Sequence, residues 1–226
     1  MGAGLTGDIP GHGTYDPKFA RMAEAFASNF EEGENQDIGA SFAATIDGEM
    51  VVDIWAGHAD VAKTRPSEHD TIVNVWSTAK SLAIMGIHML VGRCLLDIEA
   101  PVSGYWPEFA QGGKENMPVM WLLTHQSTLS RLMGDMLSVE ASYDWDLVVG
   151  KLAQQEPLWE PGTQSDYHSV TFGFQVGEVI LLVSGKTVGT FFRKEVAEPL
   201  GADFHSGLGD EHFGRVAELS VPTPRP

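Results

Sequence analysis

Ser77-Thr78-Ala79-Lys80 is the segment with the clearest chemical potential in the chain. A hydroxyl and an amine three residues apart share one face of a helix, one turn along. The segment opens a long apolar stretch from Ser77 to Gly92, which predicts a helix buried at the centre of a domain, after a strand-like run TIVNVW at 71–76. Ser77 then stands at a helix N-terminus, where free N–H groups and the helix dipole favour a developing negative charge. A lysine on an apolar helix is costly when charged. An amine that gives up its charge can take a serine proton and leave a nucleophile. Read alone, the four residues fit a plainer account equally: Ser77 as an ordinary N-cap and Lys80 reaching out to solvent.

Other chemistry-bearing groups are weaker. Tyr167 follows a Pro161-Gly162 turn and, read alone, is a loop tyrosine. His125 and His168 each fit a bordering site residue or hydrogen-bonded structure, and Trp76 fits core or pocket wall. His205 and His212, with Asp203 and Asp210, read as loop residues, because no helical H-E-x-x-H spacing holds them to a metal. Gly185-Lys186-Thr187 is not a phosphate loop, since Ile180 stands where its first glycine belongs. The chain has no G-x-S-x-G, which excludes a nucleophile elbow of the α/β-hydrolase kind.

The elements that must position these groups come next. Asp16 caps, and Pro17 starts, a helix carrying Phe19, Ala23, Phe26 and Phe30 at helical spacing, ended by Gly33. Residues 39–46 and 49–55 are β-rich and joined by Asp47-Gly48, a strong two-residue hairpin signal. Asp144 caps a helix through Leu152. Residues 170–183 form another, stopped at Gly185. Thr187 caps a third through Val196, ended by Pro199 and Gly201. A lone hairpin wants a third strand, and no convincing strand follows residue 201. The sheet is therefore completed elsewhere, or the chain is part of something longer.

Composition sets outer bounds. The 226 residues carry 14 Lys and Arg against 31 Asp and Glu, a formal net charge of −17. Such acidity repels phosphate backbones and argues against nucleic-acid binding. With 43% hydrophobic and 20% charged residues the chain is globular in kind. The single cysteine, Cys94, rules out an internal disulfide. No secretory signal and no 18-residue apolar run are visible, so a cytoplasmic protein with no membrane contact is expected.

Taken together the motifs resemble those of the serine β-lactamase and penicillin-binding superfamily, and within it the class C-like, family VIII carboxylesterase branch. Ser77-Thr78-Ala79-Lys80 within VNVWSTAK is similar to its first motif. Glu160-Pro161-Gly162-Thr163 followed by Tyr167-His168-Ser169, Phe172-Gly173 and Gly177-Glu178-Val179-Ile180 is similar to its tyrosine block. Leu122-Leu123-Thr124-His125-Gln126-Ser127 resembles its LLTH-x-S segment. The resemblance implies that Ser77 is acylated, Lys80 is its base or base partner, and Tyr167 is a second proton-transfer group. It places the Ser77 N–H in half of an oxyanion hole, and Trp76, Gln126, His168 and Ser169 on the substrate-binding side. It implies no metal and no organic cofactor.

Three departures bear on substrate. Ser169 stands where the family carries Asn, which weakens a grip on a β-lactam side-chain amide and leaves ester hydrolysis the easier task. Thr128 replaces a glycine. The family's third motif is not found, because Lys186-Thr187-Val188-Gly189 follows a helix stop and begins another helix. The fold implied is of the α/β (α+β) class, β-lactamase/transpeptidase-like: an N-terminal helix and hairpin over 1–70, a helical domain over 71–205, and over 206–226 the start of a return to the sheet, with the C-terminal sheet strands absent. The function implied is a serine hydrolase acting on small esters. The alternatives are β-lactam or D-alanyl peptide hydrolysis, or an impaired fragment that binds without turnover. An exposed sheet edge would invite self-association, so the expected partner is a second copy in a homodimer or a missing C-terminal portion.

Overall fold

A computed structural model describes residues 11–31, 36–133 and 138–220. The chain divides into two compact units, residues 1–74 with 208–226, and residues 75–207.

The first unit holds a three-stranded antiparallel sheet: β1 (Gly11–Tyr15), β2 (Gly39–Ile46) and β3 (Glu49–Gly57), in the order β1-β3-β2. The Asp47-Gly48 hairpin forms as its sequence predicts, both residues adopting positive φ. The third strand that the hairpin needs comes from Gly11–Tyr15, upstream of every element expected from sequence. Two glycines in five residues give this strand little β character. Gly13 is required where it stands, because φ is +109° and a Cβ would overlap the Asp53 carbonyl oxygen. Val52, Ile54 and Ala56 alternate onto one face of the sheet and bury Ala23, Phe26 and Phe30.

Helix α1 (Ala20–Ser28) follows a short 3-10 turn whose cap is Asp16, accepting the Lys18 N–H at 2.9 Å. It ends before the expected stop, with Asn29 as C-cap, and Gly33 lies outside the described residues. The TIVNVW run is not a strand; Ile72 makes one isolated parallel bridge to Val216. Arg65 helps hold the returning segment, donating to the carbonyls of Gly214 (3.1 Å) and Val216 (3.2 Å).

The second unit is helical. Its core runs between α2 (Ala79–Gly92), α3 (Val119–Leu123), α4 (Trp145–Gln154) and α5 (Thr171–Ser184). Asp144 caps α4 through the Leu147 N–H (3.0 Å), and Gly185 ends α5. Thr187 caps α6 (Val188–Phe192), which confirms that Lys186-Thr187-Val188-Gly189 opens a helix. Ala83, Ile87 and Leu90 form the buried stripe of α2, packed with Phe172, Val176 and Ile180 of α5. The stripe covers only one side. Ser81, Met85 and His88 are exposed, so α2 is not buried all round as its composition suggested. Among the described residues, no helix is long and apolar enough to cross a membrane.

Candidate active site

Ser77 lies in a 3-10 turn, Trp76–Thr78, that runs straight into α2. Trp76 enters the turn with φ +47°, a left-handed conformation that costs a non-glycine residue about 1–3 kcal/mol. The turn places Ser77 at the mouth of a 14-residue helix, whose dipole favours negative charge there.

Lys80 reaches back one turn. Its Nζ donates to Ser77 Oγ at 3.0 Å and to the Ser169 carbonyl at 2.9 Å. The same ammonium stands over the Tyr167 ring, 4.9 Å from its centroid, and 5.8 Å from that of Phe172. Side-chain hydrogen bonding with Ser77 first, and then with Lys80, holds the Tyr167 phenol below the ordinary tyrosine value. Hydroxyl, amine and phenol thus converge. They meet at the surface of their unit rather than in its interior: Ser77 is exposed, Lys80 half-buried, and Tyr167 keeps 53% of its surface.

A second layer fixes Tyr167. The His125 carbonyl accepts the Asp166 N–H (3.1 Å), and His125 Nδ1 accepts the His168 N–H (3.2 Å). Both residues flanking Tyr167 are therefore tied to His125. Its ring also packs against the Tyr167 ring, centroids 5.0 Å apart. Burial, and then the Lys80 charge, push the His125 imidazole below its usual value. Accepting on Nδ1 requires that nitrogen to be unprotonated, which agrees.

His168 is corrected by the structure. It is fully buried and cannot line a substrate surface. Its Nδ1–H donates to the Asp166 carbonyl (2.6 Å) and its Nε2 meets Ser127 Oγ (2.8 Å), which in turn donates to Gln175 Oε1 (2.7 Å). Desolvation pushes its pKa down as well. Gln126 is likewise a brace: its backbone carbonyl accepts the Gly162 N–H (3.1 Å), and its amide oxygen accepts the Thr124 hydroxyl (2.8 Å). Gly162 seats that turn at φ +79°, and any Cβ would strike the Trp121 ring. Trp76 is 67% exposed beside Ser77, and Ser169 presents its carbonyl to Lys80. The bracing roles of His125 and Ser127 are not evident in their spacing; their place inside the LLTH-x-S segment was the available signal.

His205 pairs with Asp203 at 2.7 Å, and among the described residues no group of three or more His, Cys, Asp or Glu could hold a metal.

Comparison with known proteins decides the family: the Beta-lactamase family model matches residues 23–226. The chain belongs to the beta-lactamase family. Among curated relatives, this beta-lactamase-family chain is 37% identical over 218 residues to the esterase/beta-lactamase LipL of Mycobacterium tuberculosis, covering 93% of the chain and 48% of the relative. A penicillin-binding protein homolog from Caulobacter crescentus superposes with a TM-score of 0.90 at 40% identity, over 97% of this chain and 58% of that one. A family VIII carboxylesterase superposes with a TM-score of 0.87 at 40% identity, over 93% and 57%. The β-lactamase/transpeptidase-like fold is thereby shown. The chain spans about half the length of these relatives.

Proposed function

We propose that the chain carries the nucleophilic half of a serine carboxylesterase. The observation that supports it is the convergence of Lys80 Nζ, 3.0 Å from Ser77 Oγ, with the Tyr167 ring, whose centroid lies 4.9 Å from the same nitrogen. Ser77 Oγ attacks the ester carbonyl, with its proton passing to a Tyr167 phenolate beside Lys80. The oxyanion gathers at the N-terminal end of α2, where the Ser77 N–H supplies a donor. The carbon–alkoxy bond breaks, the alcohol leaves with the proton, and an acyl group stays on Ser77. Water then repeats the sequence and releases the acid. No step calls for a metal.

Esters are favoured over β-lactams because Ser169 lacks the side-chain amide that would grip a β-lactam substituent. Parallel assays with p-nitrophenyl butyrate and nitrocefin, read as the first-turnover burst, test this. The reading requires a nitrophenolate burst lost in Ser77→Ala. A nitrocefin burst without an ester burst reverses the order, and neither burst leaves a chain without this chemistry.

A further inference from the structure

Behind Tyr167 lies a buried row of hydrogen-bonding groups that the proton transfers at Ser77 do not use. It runs from the Asp166 carbonyl through the His168 ring, the Ser127 hydroxyl and the Gln175 amide to the Leu129 carbonyl, and His168, Ser127 and Gln175 are each at most 1% exposed. Its four links are Asp166 O to His168 Nδ1 (2.6 Å), His168 Nε2 to Ser127 Oγ (2.8 Å), Ser127 Oγ to Gln175 Oε1 (2.7 Å) and Gln175 Nε2 to the Leu129 carbonyl (3.0 Å). Both ends are carbonyl oxygens, which only accept, so each link needs its own proton. A neutral imidazole brings one, the serine one, and the amide one, because only its nitrogen end donates. The row is one proton short. Turning the amide over moves the gap to the Leu129 link without filling it. An imidazolium brings two protons and fills every link.

We propose that the first proton taken up by the His125–His168 pair in acid goes to His168, and that this keeps His125 neutral and the Tyr167 turn pinned. Rings with centroids 5.2 Å apart resist carrying two charges, so the first proton decides which ring stays neutral. On His168 that proton completes the buried row. On His125 it would sit on Nδ1, the acceptor of the His168 N–H, and break that 3.2 Å bond. It would also place a second cation beside Lys80, whose charge already disfavours one there. Asp166 favours a charge on either ring, so it does not decide between them. The remaining neighbours are Tyr167 and, from α5, the uncharged Phe172 and Gln175. Burial opposes both charges, which sets the exchange below the ordinary imidazole value. His168 touches no reacting atom and is a positioning residue that acts through His125. Its effect on catalysis rests on the esterase reading; the order of protonation does not.

The experiment follows the imidazole resonances of the full chain by NMR as the pH falls from neutrality, each ring identified by its loss in His125→Asn or His168→Gln. His168 should titrate first, and its acid form should show both ring N–H protons protected from exchange. His168→Gln removes the neighbouring charge, so the His125 titration should move to higher pH. Gln175→Met removes the acceptor beyond Ser127 and frees that hydroxyl for a neutral Nε2, so the His168 titration should move to lower pH. Fluorophosphonate labelling of Ser77 gives the second readout. Between neutral and mildly acid pH, His168→Gln should lose about tenfold more rate than the wild type, the equivalent of one titration unit. Thermal melts report whether each variant is folded.

His125 titrating before His168 overturns the proposal. So does a His125 titration unmoved in a folded His168→Gln, or a pair of rings that stays neutral until the fold melts. Where His168→Gln does not fold, Gln175→Met decides, and an unmoved His168 titration there overturns the proposal too. Absent labelling of the wild type overturns only the esterase reading, because the two titrations are read without any reaction.

Discussion

His125 Nδ1 accepts the backbone N–H of His168 at 3.2 Å, so the turn carrying Tyr167 is pinned by an imidazole that must stay neutral. The residue works through Tyr167 and touches no reacting atom. His125→Ala should slow Ser77 labelling by about 10²-fold, the scale expected when a reacting group shifts by an ångström. His125→Asn, which keeps an acceptor near that position, should restore part of the rate. Equal rates for all three proteins would show that the pin is not needed.

The same neutrality has a stability signature. His125 and His168 both have folded values below their ordinary 6.5, chiefly because burial disfavours the charged ring. The unfolded chain therefore binds more protons just below pH 6.5. Their contribution is present above pH 6.5 and is lost as pH falls through the lowered folded values. Thermal melts should drop on acidification from pH 7 to 5, and His168→Gln should flatten that drop.

Tyr167 predicts a rate signature of opposite limb. Hydrogen bonds from Ser77 and Lys80 lower its phenol from 10. If the phenolate takes the Ser77 proton, labelling should rise with pH and reach half-maximum below 10. Tyr167→Phe should remove that limb and cut the rate by about 10² to 10⁴. A limb that persists in Tyr167→Phe would belong to another group.

Thr128 adopts φ +65°, a genuine strain for a β-branched residue, and its buried hydroxyl finds no hydrogen-bond partner. Thr128→Gly relieves both at the loss of a small buried side chain. A gain of about 1 kcal/mol is expected, or roughly 2–4 °C in Tm for a chain of this size. A lower Tm would mean that the lost packing outweighs the strain.

Glu195 joins Lys186 (2.7 Å) and Arg93 (2.8 Å), and hydrogen bonds from these two, Lys186 first, hold it at about 2 against an ordinary 4.5. Its contribution is present above pH 4.5 and lost as pH falls toward 2. Glu195→Gln should be less stable than wild type near neutrality, with the gap closing in acid. A gap independent of pH would refute the ion-pair account.

Much of this was legible in the residues. Asp16, Asp144 and Thr187 announced their helices because capping is local chemistry. Asp47-Gly48 announced its hairpin for the same reason. Ser77 and Lys80 were readable because helical spacing alone brings them together. What escaped depends on partners distant in sequence. β1 has almost no strand propensity and forms because β3 offers an edge. His168 resembled a site residue until Ser127 and Gln175 closed around it. Lys114 looks like a surface lysine, yet it is fully buried, donating to the carbonyls of Gln111 (2.9 Å), Ala153 (3.0 Å) and Gln155 (2.5 Å). The cavity beside Lys80 is lined from α2, α4, α5 and α6, and no local pattern encodes it.

The most direct measurement of the central claim is intact mass after exposure to a fluorophosphonate. One adduct is expected on the wild type, slower on Lys80→Ala and absent on Ser77→Ala. No adduct on the wild type, or one that survives Ser77→Ala, would contradict Ser77 as the nucleophile.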